Sequence, residues 1–159
     1  MRRRKYEGSY QRVARFVELY CSPARRWQAL AQLFDQVALS CILGNGDALL
    51  KNFGVLYGDP ILKDVRPAPA YDIVNTIAYI PEDSLALKLD GSKSLFAARM
   101  HLLDFAERCR ITDPRRRVGE LLATTERGLA QHRALLELEP VVDAGVRGAF
   151  ERFASGFKV

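Results

Sequence analysis

Behind a basic stretch the chain alternates apolar and polar positions with the period of a helix. Val13, Phe16, Val17 and Tyr20 recur at spacings of three and four after Ser9, a capping residue, and predict a helix over Ser9–Tyr20. Ser22-Pro23 supplies a second cap and a first-turn proline for a helix over Pro23–Leu43. Its stripe of Trp27, Leu30, Ala31, Phe34, Val37, Ala38 and Cys41 is expected to face the core, and Gly44-Asn45-Gly46 ends it. The pattern then shortens. Phe53–Tyr57 and Ile61–Val65 are β-prone runs about Gly58-Asp59-Pro60, which predicts a hairpin whose second strand ends at Pro67 and Pro69. Leu85, Leu87 and Leu89 alternate with Ala86, Lys88 and Asp90 before Gly91, the period of a half-buried strand. Helical spacing returns over Ser94–Arg110, through Leu95, Ala98, Leu102 and Phe105. It resumes behind the Asp113 cap and Pro114 to about Leu138, and again over Asp143–Phe153.

These elements predict an α+β, mainly α fold in one domain, 1–159, a length that can bury a core without disulfides or metals. No apolar run reaches the roughly 18 residues of a membrane span, so no membrane contact is expected and the reading is cytoplasmic. Cys21, Cys41 and Cys109 are widely spaced and unpaired in sequence, which predicts buried reduced thiols. The net charge of +5 gathers in Met1–Lys5, Arg25-Arg26 and Arg115-Arg116-Arg117. Short basic runs at helix ends and termini are usually solvated surface, and no aromatic residues interleave with them, so direct nucleic-acid binding is not expected.

The chemistry concentrates in Gly44-Asn45-Gly46-Asp47-Ala48-Leu49-Leu50-Lys51-Asn52, where a carboxylate, an ammonium and an amide share a loop between a buried helix and a strand. Asp47 and Asn52 stand five positions apart, the spacing of the kinase catalytic loop, in which the Asp accepts a hydroxyl proton and the Asn holds Mg²⁺. An antiparallel hairpin returns the chain near its start, so Asp72, twenty positions after Asn52, is expected beside it. An amide oxygen and a carboxylate suit a magnesium ion that also holds nucleotide phosphates. For Asp47 and Asn52 the competing reading is a helix-terminal turn in which both satisfy backbone groups, and for Asp72 it is a turn or cap before Ile73. His101 and His132 lack ligand partners at suitable spacing and are read as structural. Trp27 and the helix aromatics are read as core.

The segments Gly44–Asp47, Lys51-Asn52-Phe53, Pro69-Ala70-Tyr71-Asp72 and Leu85–Gly91 resemble the C-terminal domain of HipA-family kinases, and the similarity runs from Lys5 to about Leu136. The resemblance implies a protein-kinase-like C-lobe of helices with a small hairpin at the catalytic loop. It further implies ATP-dependent phosphorylation of serine or threonine in a protein substrate, and membership of a toxin–antitoxin system restrained by a helix-turn-helix antitoxin. On that resemblance Asp47 is the catalytic base, Asn52 and Asp72 are Mg²⁺ ligands, and Lys51 contacts the phosphates of ATP.

Two departures qualify the expectation. No Gly-rich phosphate loop followed by a strand lysine occurs in the sequence, since Gly44 and Gly46 lack a third glycine and precede the base. The ATP-gripping N-terminal lobe is therefore expected to be absent from this chain, which would be inactive or weak unless a separately encoded N-lobe joins it. Position 49 is Leu where the family often carries His, which removes one support from the loop. The alternative is a non-catalytic interaction module, a truncated kinase remnant that binds an antitoxin or a partner chain.

Overall fold

The capping pattern at Ser9 produces the first helix as the spacing requires. In the computed structural model, which describes residues 7–59, 64–95 and 98–157, α1 spans Tyr10–Tyr20 and the Ser9 hydroxyl accepts from Arg12 N. Tyr10, Val13, Ala14 and Val17 form its buried face. Ser22 does not cap the second helix. Its hydroxyl accepts from Val65 N at 2.8 Å and its amide donates to Val65 O at 2.9 Å, tying the interhelical turn to the hairpin. A single 3₁₀ turn, Pro23–Arg25, leads into α2, Arg26–Leu43.

Helix α2 is the axis of the domain, because α1 and three later helices all pack on it. Its buried face, Ala29, Leu30, Leu33, Phe34, Val37, Ala38, Cys41 and Ile42, is wider than the predicted stripe. Trp27 is not in the core: it is 54% exposed, and the Arg110 guanidinium covers one face of its ring at 4.9 Å. Arg26, Trp27 and Gln28 are all at least partly exposed and burial of α2 begins at Ala29, so helical period alone misplaced this residue. Phe16 and Tyr20 are likewise half exposed and stack on each other at 4.4 Å.

The hairpin is short. Strand β1, Val55–Tyr57, pairs antiparallel with β2, Val65–Pro67, in the register Val55↔Pro67 and Tyr57↔Val65. Pairing thus begins where the predicted second strand ends, and Ile61–Lys63 lie outside the described residues. Arg25 braces the hairpin with a two-pronged contact to Asp64, Nε–Oδ1 2.6 Å and Nη2–Oδ2 3.2 Å. That hydrogen bond holds the Asp64 carboxyl below its ordinary range.

The stretch Leu85–Asp90 belongs to no sheet: it bends at Ala86 and Leu87 and turns at Asp90, whose φ of 46° is left-handed. It makes two isolated bridges, Ser9↔Lys88 and Leu89↔Ser92. Its alternation is nevertheless that of burial: Leu85, Leu87 and Leu89 are enclosed while Lys88 and Asp90 face solvent, with Ala86 also buried. Helix α3 spans Ala98–Arg108, with Leu102 and Phe105 buried, and residues 96 and 97 of the predicted longer helix lie outside the described residues. Asp113 caps α4, Pro114–Gln131, by accepting from Arg116 N. The helical pattern to Leu138 is interrupted at His132 and continues as α5, Arg133–Leu136. Helix α6, Pro140–Ser155, begins three residues before the sequence pattern suggests, at a first-turn proline.

Two further bidentate ion pairs lock helices together, Arg108 with Glu18 and Arg117 with Asp35. Arg116 meets Asp113 and Glu120. Two of the three arginines in the 115–117 run therefore face acids of the same chain, which weakens that run as a nucleic-acid patch. The three thiols are all buried, and burial pushes Cys41 and Cys109 up to about 12. Among the described residues no helix is long and apolar enough to cross a membrane.

Candidate active site

Helix α2 delivers the loop by ending on Gly44, whose φ of 68° is left-handed. A Cβ there would also lie 2.6 Å from Ile77 Cδ1, so glycine is required twice over. Asn45, 1% exposed, takes the next turn: its amide nitrogen donates to Ser40 O at 2.8 Å, and its side-chain oxygen accepts from Asp47 N at 2.9 Å. Gly46 N donates to Thr76 Oγ1 at 2.8 Å, and a Cβ on Gly46 would overlap the Asp83 carboxylate. Beneath the loop the buried Tyr10 hydroxyl donates to Ala48 O at 3.3 Å, and burial raises its pKa well above the usual phenol value.

Asp47 emerges from this support with its side chain 41% exposed. The chain then closes a 3₁₀ turn, Leu50–Asn52. Asn52, nearly buried, accepts from Leu49 N at 3.1 Å through Oδ1 and donates through Nδ2 to Asp72 Oδ2 at 2.8 Å. The hairpin thus returns Asp72 to Asn52 as its spacing requires. Asp72 adopts a φ of 57°, the left-handed region that side chains seldom occupy, which aims its carboxylate back at the loop. Lys51 Nζ lies 3.4 Å from Asp72 Oδ2 and 4.0 Å from Asp47 Oδ2, between the two carboxylates. Tyr71 OH donates to Lys51 O at 2.5 Å.

All four sequence-predicted site residues, Asp47, Lys51, Asn52 and Asp72, therefore meet in one solvent-open site. Asn52 keeps a second lone pair on Oδ1, and Asp72 has an oxygen that Asn52 does not engage. With Asp47 these are hard oxygen donors, with no thiol or imidazole among them, a set that fits Mg²⁺ in kind. Sequence reasoning gave no role to Tyr10, Asn45, Tyr71 or Thr76, although Asn45 and Tyr71 lie in two of the segments that carry the family resemblance.

His101 is less isolated than its sequence neighbours suggest. Its Nδ1 stands 3.5 Å from Asp90 Oδ2, and Asp104 is on the same side. Asp90 comes from outside α3, which spacing along the helix could not show. Sequence reasoning gave His101 no carboxylate partner, and the fold groups two with it, Asp90 from outside α3 and Asp104 three positions along it.

A mainly helical domain with one hairpin set over an oxygen-lined loop has the arrangement that the resemblance to a kinase-like C-terminal lobe implies. Residues 1–132 match the family of HipA-like C-terminal domains, and the chain belongs to that family. It is similar to two proteins of Sinorhizobium fredii that are named as proposed kinases. Y4dM is 34% identical over 95 residues, 58% of this chain and 22% of that protein. Y4mE is 31% identical over 113 residues, 68% of this chain and 26% of that protein. The chain thus spans about a quarter of the length of these curated relatives. Its fold matches HipA of Shewanella oneidensis, solved as a toxin–antitoxin complex with HipB and operator DNA. The TM-score is 0.53 at 18% identity, over 92% of this chain and 36% of that one.

Proposed function

We propose that this chain is the catalytic-loop half of an ATP-dependent protein serine/threonine kinase of a toxin–antitoxin system. The observation that carries the reading is the Asn52–Asp72 hydrogen bond, which draws an amide and a carboxylate from the two ends of a hairpin to one place beside Asp47. In this reading the Asp47 carboxylate accepts the proton of a substrate hydroxyl as its oxygen attacks the γ-phosphorus. The bond to the bridging oxygen breaks, and ADP leaves with that electron pair. Asp72 and the Asn52 oxygen would hold Mg²⁺, which when bound neutralises charge on the phosphates. Lys51 leaves its place between the carboxylates to meet the phosphates. Tyr71 and Asn45 keep Lys51 and Asp47 on a fixed backbone.

These 159 residues supply no Gly-rich loop and strand lysine to orient ATP, so the proposal includes slow or absent transfer by this chain alone. An N-lobe supplied to these residues would restore it, and a helix-turn-helix antitoxin is the proposed partner in the cytoplasm. The test is transfer of labelled γ-phosphate to protein serine or threonine, by the chain alone and when co-expressed with the N-terminal portion of a Sinorhizobium relative. Transfer that appears only on co-expression supports an incomplete kinase. No transfer in either case, with no metal-dependent nucleotide binding, favours the interaction-module alternative.

A further inference from the structure

Asp72 and the loop that carries Asp47 are joined at two points. At the first, Asp72 meets Asn52, as described above. Four residues later the same extended segment returns to the start of the loop. Thr76 N donates to Gly44 O at 3.1 Å, the Thr76 hydroxyl donates to the same carbonyl at 3.3 Å, and that hydroxyl accepts from Gly46 N at 2.8 Å. Asn75 Nδ2 donates to Leu43 O at 2.5 Å. The loop completes a ring, since Leu49 N lies 2.7 Å from Asp47 O and 3.1 Å from Asn52 Oδ1.

We propose that Thr76 is a positioning residue for Asp47: its hydroxyl bridges the Gly44 carbonyl and the Gly46 amide and sets the base against Asp72. This rests on the reading of Asp47 as the base. The two glycines carry no side chain with which to anchor the turn, and steric crowding at both excludes one. The residue before Asp47 is therefore held from outside, by a hydroxyl that donates and accepts at once. Helix α6 backs the segment from behind. A Cβ on Gly145 would come within 2.6 Å of both Asn75 Oδ1 and Ala78 Cβ, so only glycine lets the helix approach this closely. The ring fixes the relation between base and metal-side carboxylate as one unit, although thirty residues separate Gly46 from Thr76.

The test compares Thr76→Val, which keeps the shape and removes the hydroxyl, with Thr76→Ser, which keeps the hydroxyl, both in the full chain. Amide hydrogen exchange followed by NMR is expected to accelerate at Gly46 by about tenfold or more in Thr76→Val, while amides in the middle of α2 hold their protection. Thr76→Ser is expected to return Gly46 to near the parent rate. In any assembly that turns over ATP, Thr76→Val should lower kcat by about 10- to 100-fold with KM for Mg-ATP nearly unchanged, and Thr76→Ser should recover it. Unchanged Gly46 protection in Thr76→Val overturns the proposal. So does loss spread equally through α2, or loss that Ser does not repair. Absence of turnover by the parent even when an N-lobe is supplied would count against the kinase reading instead, and the exchange data would still decide the role of Thr76.

Discussion

Asp47→Asn is expected to lower phosphoryl transfer by about 10²–10⁴-fold in an assembly completed by an N-lobe, with the melting temperature nearly unchanged. The substitution keeps the shape of the side chain and removes its ability to take a proton at neutral pH. The fold does not depend on the carboxylate. Asp47 is held through its backbone, by Asn45 Oδ1 on its own amide and by Thr76 on the residue before it. Its ion pair with Lys51, at 4.0 Å, is open to solvent, and exposed pairs contribute about 0–1 kcal/mol. Transfer rates measured beside thermal denaturation separate the two effects. A variant that transfers at the parent rate removes Asp47 from the mechanism.

Phe34→Ala is expected to destabilise the domain by about 3–5 kcal/mol, read as a lower urea midpoint with little change in slope. Phe34 is fully buried on α2, with its ring 6.5 Å from that of Phe105 on α3 and nearly parallel to it. Its loss opens a cavity where several helices converge, and their mutual packing restricts collapse. Domains of this kind hold about 5–15 kcal/mol in all, so the substitution removes a large share. Trp27→Ala on the same helix is the control. It sits half in solvent under Arg110, and a loss of less than about 1 kcal/mol is expected for exposing so little new surface. A Phe34 variant as stable as the parent would contradict the assignment of α2 as the central helix.

Much of this was legible because the signals were local. The Ser9 and Asp113 caps mark the starts of their helices to within a residue, and the Gly44 stop is both a backbone and a packing requirement. The site was legible for a different reason: hairpin geometry converts the separation of Asn52 and Asp72 in sequence into proximity, a rule that needs no knowledge of the rest of the fold. Features that depend on distant elements were hidden. Trp27 follows the helical stripe but lies before burial of α2 begins. Ser22 looks like a cap and instead binds Val65 across the hairpin. Leu85–Asp90 alternates like a strand because one side faces the core, yet among the described residues only Ser9 and Ser92 bridge to it. Arg117 reads as part of a basic run until α2 brings Asp35 against it. Thr76 carries no motif at all, and its part in the loop follows only from the return of the chain to Gly44.

The most direct test of the central claim, that the loop and hairpin form an Mg-ATP site, is calorimetry of ATP binding to this chain with and without Mg²⁺, with Asp72→Asn in parallel. Binding is expected to need the metal and to weaken by about tenfold or more in Asp72→Asn, since a carboxylate on a divalent ion is worth more than an amide there. Binding that is indifferent to Mg²⁺, or equal in the parent and Asp72→Asn, would contradict it.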